Sequence, residues 1–236
     1  MKFGDYVKVK SLKTAEGFRE NLRTLGLDMP CDDVLESGPD SPLGASFEVD
    51  GLRIGNRFAV QPMEGWDGTE DGHPSDNTRR RWRHFGLSGA KFVWGGEAVA
   101  VRADGRANPN QLMLNEATEA DIGALRETLI AGHREAMGDD KDLVIGLQLT
   151  HSGRFARPSP SRKSEPQILY RHPVLDRKFA VAEDLLPLTD GDIRRLIDDY
   201  VAAARRAHRL GYDFVDLKSC HGYLGHEFLS AKTRPG

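Results

Sequence analysis

The chain has 236 residues, 39% of them apolar and 29% charged, with a net charge of −3, which is the composition of a globular chain without an extended basic surface for nucleic acid or membrane. Two cysteines, Cys31 and Cys220, are too few for a disulfide framework and show no metal-ligand spacing, so no metal site is expected. The amino terminus MKFGDYVKVK lacks the apolar core of a signal peptide and no apolar run approaches the ~18 residues of a membrane helix, so a cytoplasmic location is the expectation.

Residues 1–45 are mixed and turn-rich and read as an N-terminal extension with one helix around Ala15 to Leu25. Phe47 to Ile54 predicts a hairpin turning at Asp50-Gly51, a favoured two-residue pair. Arg57 to Pro62 is a short apolar strand stopped by its proline. The polar loop Met63 to Pro74 leads to Ser75, a cap for a helix over Asp76 to Phe85 whose Arg79, Arg80, Arg81 and Arg83 read as a solvated face. Lys91 to Trp94 is the next strand, followed by a long loop from Gly95 to Asn115. Thr118, with Asp121 three residues on, predicts a capped helix with an apolar stripe of Ile122, Leu125, Leu129 and Ala136. Asp142 to Leu149 is the third strand, and Gln148, Thr150 and His151 lie at its end.

Residues 152–187 are rich in proline and arginine, and an excursion of that length is usually a lid or a binding loop. Thr189 and Asp192 cap the next helix, with Ile193, Leu196, Ile197, Tyr200, Val201 and Ala204 as its buried stripe and Gly211 as its end. Asp213 to Leu217 is the fourth strand. The polar turn Lys218-Ser219-Cys220-His221-Gly222 follows, then a helix from Tyr223 with Leu224, Phe228 and Leu229 on one face.

Strands and helices alternate, and the loops after strands are long while those before them are short. That asymmetry predicts an α/β fold of the (β/α)8 TIM barrel type, with its working face at the strand C-termini. There the fourth strand gathers Lys218, His221 and Tyr223. A phenol, with a pKa of about 10, stays protonated at neutral pH and suits a proton donor. Lys218 and His221 both donate hydrogen bonds toward an oxygen or an anion. The same set also reads as an ordinary polar loop. Cys220 reads as a small buried filler, and of the three tryptophans only Trp66 falls in a strand-end loop. A closed barrel has eight strands in about 250 residues. Only four βα units are expected here, so residues 46–236 read as the first half of a barrel whose remainder lies elsewhere.

The strand-end motifs occur in the order of a known family. Asn56-Arg57 with Pro62-Met63, Gly96-Glu97-Ala98, Gln148-Leu149-Thr150-His151-Ser152-Gly153-Arg154, and His221-Gly222-Tyr223-Leu224 with Glu227-Phe228-Leu229-Ser230 together resemble the Old Yellow Enzyme family of NAD(P)H:flavin oxidoreductases and ene-reductases. The resemblance implies an FMN-binding barrel that uses NADH or NADPH and reduces an activated C=C bond of a small organic substrate. Pro62, Met63, Glu64 and Ala98 would lie along the flavin and Gln148 would bond its pyrimidine edge. Lys218 and His221 would face the substrate oxygen, and Tyr223 would protonate the substrate carbon. His151 and Arg154 read as lid supports or as flavin neighbours.

Two positions depart from the family. Lys218 stands where the family usually has His, which points toward a carboxylate or an enolate-like oxygen as the ligand. Glu64 stands where many members carry Thr or Cys. The family's phosphate-binding segment belongs to the barrel's second half, so FMN binding is expected to need that remainder. An amine- or ether-oxidising flavin dehydrogenase, a Schiff-base lyase using Lys218 and a non-catalytic half-barrel are the other readings. The expected partner is a small-molecule substrate, with neither nucleic acid nor membrane, and the oligomeric state is open, a homo-oligomer included.

Overall fold

The computed structural model describes residues 3–234. Met1, Lys2, Pro235 and Gly236 lie outside that range, and with them the outermost residues of the extension and of the barrel segment read from the sequence. The chain divides into two compact units, one through Gly44 and one from Ala45. In the first, helix α1 (Ala15–Thr24) starts where Thr14 Oγ1 accepts from Gly17 N at 3.0 Å. Arg19 Nη2 then ties the helix to Cys31 O and to Asp33 Oδ1, both at 2.7 Å.

The second unit opens with an antiparallel hairpin, β1 (Phe47–Val49) and β2 (Leu52–Ile54). Asp50 and Gly51 sit at φ +48° and +79°, the pair of left-handed residues that a tight hairpin turn requires. The sheet is parallel throughout. It contains β3 (Ala59–Val60), β4 (Phe92–Val93), β5 (Ala98–Ala100), β6 (Val144–Thr150) and β7 (Phe214–Leu217).

β4 and β5 are two pieces of one strand. Both run along the same edge of β6, β4 against Val144–Ile145 and β5 against Gln148–Thr150. Between them five residue steps (93 to 98) run beside three (145 to 148), so Trp94 to Glu97 form a bulge. The sequence placed Ala98–Ala100 in a loop because its strand is broken by two glycines. β7 covers the other edge of β6. The strands therefore follow chain order, β3, β4/β5, β6, β7, with α2 (Asp76–Leu87), α3 (Glu119–Met137) and α5 (Asp190–Arg209) as the crossovers. Such an arc of sequential parallel strands is part of a (β/α)8 barrel.

Side-chain alternation divides the arc into two faces. Ile145, Leu147 and Leu149 of β6 join Trp82 of α2, Ile122, Leu125 and Leu129 of α3, and Leu196, Ala203 and Ala207 of α5 in one continuous core. The other face carries an aromatic cluster of Phe92, Trp94 and Phe214, with ring centroids 5.2–5.8 Å apart.

The starts of α2 and α5 follow the caps read from the sequence, and that of α3 does not. Ser75 and Thr78 form a reciprocal capping box on α2, and Thr189 and Asp192 do so on α5. At α3 Thr118 makes no cap bond. Asn115 Oδ1 takes Ala117 N and Thr118 N instead, Thr118 Oγ1 bonds Met113 O at 2.8 Å, and Asp121 turns to His73 and Arg79. Three stripes are also shifted. Ala136 is exposed and His133 takes its buried position. On α5 Ile197 and Val201 face outward while Ala203 and Ala207 face the core. On α6 (Leu224–Ser230) the buried pair is Leu224 and Glu227, with Phe228 and Leu229 exposed.

The excursion after β6 is ordered by charge. Arg154 is fully buried and bonds Glu227 Oε1 at 2.7 Å, Asp176 of the short helix α4 (Pro173–Lys178), and Tyr170 O at 2.8 Å. Glu227 Oε2 takes Leu169 N at 2.9 Å. Arg154 is thus a support for the excursion, held from α6. Among the described residues no helix is long and apolar enough to cross a membrane.

Candidate active site at the strand C-termini

Each strand delivers a short segment to the same end of the sheet. β3 leads to Pro62, Met63 and Glu64. β5 begins at Ala98. Gln148 lies near the end of β6, and Lys218 follows β7 directly. Ala98 is fully buried, and its N–H donates to Met63 O at 3.3 Å, which ties the β3 loop to the β5 start. Pro62 is half-buried and Met63 exposed.

The two residues that set this chain apart meet one another. Glu64 Oε1 accepts from Lys218 Nζ at 2.9 Å, and Glu64 Oε2 accepts from Tyr223 OH at 3.0 Å. Nζ also lies 4.1 Å from the centroid of the Tyr223 ring, at cation–π distance. The side chains of Glu64 and Lys218 are only 8% and 9% exposed, so solvent screens this pair little. Burial first, and then the Glu64 carboxylate, push the Tyr223 phenol well above its ordinary pKa. Phe155 stacks on Tyr223 at 5.5 Å and on Phe179 at 4.3 Å, so the excursion covers the phenol from one side. His221 is placed differently. It is exposed, at φ +59°, in the turn between β7 and the helix that begins at Leu224.

Gln148 is 6% exposed, and its Nε2 donates to Asp216 Oδ2 at 2.5 Å across the β6–β7 pair. That bond uses one of the two Nε2 hydrogens, so Oε1 as acceptor and the second hydrogen as donor are what the amide can offer to a ligand. Nothing in the sequence singled out Asp216; the strand register that sets it opposite Gln148 did. Sequence reading also left Glu97 without a role, present only within the second-strand motif, and placed Arg81 on a solvated face. Arg81 is no solvated face: it pairs with Asp67 Oδ1 at 2.8 Å and with Glu97 Oε2 at 2.5 Å. Glu97 also takes Gly65 N at 2.8 Å, so it fixes the loop that carries Glu64. Burial pushes the Glu97 carboxyl up to about 7, against the pull of Arg81.

His151 lies beneath this surface, 2% exposed, with Nδ1 accepting from Gly153 N at 3.1 Å. Burial lowers its pKa to about 4, so the ring is neutral at pH 7. Cys220 is exposed, not the buried filler that its residue type implied. Trp66 is also exposed, in the loop beyond Glu64.

A parallel arc whose polar side chains gather at the strand C-termini defines the class of protein, a (β/α)8-barrel chain with its binding surface at that end. The chain belongs to the NADH:flavin oxidoreductase / NADH oxidase family, whose model matches residues 43–234. It is 30% identical over 189 residues to an NADPH dehydrogenase of Bacillus velezensis, a match covering 78% of this chain and 50% of that one. It is 28% identical over 197 residues to an NADH:flavin oxidoreductase of Gibberella zeae, covering 77% of this chain and 44% of that one. The fold is shared with morphinone reductase in complex with tetrahydroNAD, with a TM-score of 0.63 at 21% identity over 84% of this chain and 54% of that one. It is shared too with the old yellow enzyme from Trypanosoma cruzi, with a TM-score of 0.61 at 19% identity over 83% and 56%. The chain spans about half the length of the curated relatives it matches.

Proposed function

We propose that this chain forms the flavin-contacting part of an FMN-dependent oxidoreductase. It would move hydride between NADH or NADPH, flavin and a small organic substrate, with reduction of an activated C=C bond as the favoured reaction. One observation carries the reading. In a chain of this family, an amide acceptor, a cation and a protonated phenol (Gln148, Lys218 and Tyr223) converge on one end of the sheet.

These residues fit a flavin. Gln148, with Nε2 held by Asp216, presents an acceptor that suits a ring N–H. The buried Ala98 offers a surface without bulk, and Pro62 and Met63 supply the neighbouring backbone. FMN would supply the hydride chemistry, and the chain supplies orientation and a proton. Tyr223 keeps that proton on its phenol oxygen at any working pH, because burial and Glu64 both oppose ionisation. Phe155, itself packed on Phe179, covers one side of the Tyr223 ring. Lys218 anchors the substrate oxygen. With Nζ engaged by Glu64, it is better placed as a cationic anchor than as a free amine nucleophile. The FMN phosphate is proposed to be held by barrel elements beyond the span shared with relatives.

The test is a visible spectrum of the purified full-length protein with FMN added, followed by anaerobic NADH or NADPH. Bound flavin bands that bleach on addition of either nucleotide are the expected result. A protein that takes up no FMN overturns the reading.

A further inference from the structure

We propose that Glu64 sets the charge preference of the Lys218–Tyr223 site: with its carboxylate seated there the site takes neutral ligands and refuses carboxylates, and without it the same two donors form a binding site for small carboxylates. The inference rests on reading Lys218 and Tyr223 as the substrate-facing pair, and it does not depend on flavin.

Lys218 and Tyr223 treat Glu64 as they would treat a bound carboxylate. One oxygen takes the ammonium at 2.9 Å and the other takes the phenol at 3.0 Å, a two-donor fork with one charge-assisted arm. The occupant comes from the β3 loop, 154 residues from Lys218 and 159 from Tyr223, so the fork is not a local turn closing on itself. Its loop is fixed separately, through Gly65 N to Glu97 Oε1 at 2.8 Å, which holds Glu64 in reach. Asp216, two residues before Lys218, is directed to Gln148 Nε2 and leaves the ammonium to Glu64.

The charge balance follows. Lys218 and Glu64 cancel in a place that solvent screens little, and Asp216 adds a negative charge two residues from Lys218. An incoming carboxylate would meet two like charges and a cation already in use. A neutral carbonyl meets the remaining ammonium hydrogens without that penalty. The sequence alone, with a lysine in the usual histidine position, pointed to an anionic ligand; the Glu64 contact reverses that preference.

The experiment compares acetate with acetamide, a charged and a neutral probe of one size, at constant ionic strength. Binding to the full chain is read by calorimetric titration and by the shift in Tm. Glu64→Ala opens a space the size of the probe. The expected result is acetate binding at least tenfold tighter in Glu64→Ala than in the wild type, with no such gain for acetamide, and loss of the gain in Glu64→Ala/Lys218→Met. The proposal is overturned if Glu64→Ala shows no gain, if the double variant keeps it, or if the wild type binds acetate as tightly as the variant does. Should Glu64→Ala not fold alone, refolding by acetate and not by acetamide supports the proposal, and no rescue overturns it. Neither readout needs flavin or turnover. A colourless protein that shows the acetate gain would therefore end the flavin reading and leave this inference standing, and a yellow protein without the gain would do the reverse.

Discussion

Tyr223 is the residue on which the proposed chemistry turns, and its surroundings make a specific claim. Its phenol is half-buried, tilted against the Phe155 ring and bonded to Glu64, and burial and the carboxylate together keep it protonated. Tyr223→Phe removes the proton and leaves the ring packing. We expect substrate reduction by reduced flavin to fall about 10²-fold or more, the scale of a lost general acid, while flavin reduction by NAD(P)H changes less than about threefold. Rapid-mixing measurement of the two half-reactions checks this, and equal loss in both would remove Tyr223 as the donor. His151 gives a second residue-scale expectation. Its folded pKa of about 4 lies below the ordinary 6.5, so it contributes stability that is present above pH 6.5 and lost as pH falls toward 4. Denaturant midpoints between pH 7 and pH 4 should fall less steeply in His151→Asn than in the wild type. Parallel curves would show that another group governs this range.

At the scale of elements, the arginine of the third-strand motif is structural. Arg154 joins α6 to α4 and to the backbone of the excursion from a fully buried position. Breaking a buried pair by removing one partner costs about 3–5 kcal/mol, because the other charges are left unmatched. Arg154→Ala should lower unfolding stability by that amount and expose residues 156–187 to limited proteolysis at low protease concentration. A loss below about 1 kcal/mol would mean that water replaces the guanidinium. The helix stripes teach a related lesson. Ile197 and Val201 fit the 3.6-residue period of α5 as well as Ala203 and Ala207 do, yet only the alanines face the core. Periodicity fixes the spacing of a stripe; the neighbouring β6 and α3 decide which arc of the helix is covered.

Across the whole molecule, the arc is set by what its two faces pack against. On the face opposite the helices, Phe214 lies across β6 at Gly146, where a Cβ would come 2.3 Å from its ring, and meets Phe92 and Trp94. Gly146→Ala should therefore shift β7 or push Phe214 aside. The expected loss is about 1–3 kcal/mol, the usual cost of overpacking, read as a lower denaturant midpoint. An unchanged midpoint would show that the aromatic cluster adapts freely. Phe92, Trp94 and Phe214 come from two strands that meet only through β6, so their cluster is a property of the sheet and not of any segment.

The sequence by itself determined much of this protein. Alternating strands and helices, long loops after strands, the caps at Ser75 and Thr189 and the motif around Gln148 are all local or ordered along the chain. They specified a barrel-type α/β fold and the family to which the chain belongs. Tertiary structure decided what depends on distant residues. Cap choice at α3 passed from Thr118 to Asn115 because Met113 O claimed the threonine hydroxyl. The broken strand β4/β5 became visible only through its shared partner β6. The site itself rests on contacts between residues 154 and 159 positions apart, through which Glu64 becomes the partner of Lys218 and Tyr223. A hydrogen-bonding group takes the best donor or acceptor that folding brings within about 3 Å. For Glu64 and for β4/β5 that partner is remote in the chain, and for Thr118 it is Met113 O, five residues back in a loop where the Met113 N–H is itself held by Gly72 O.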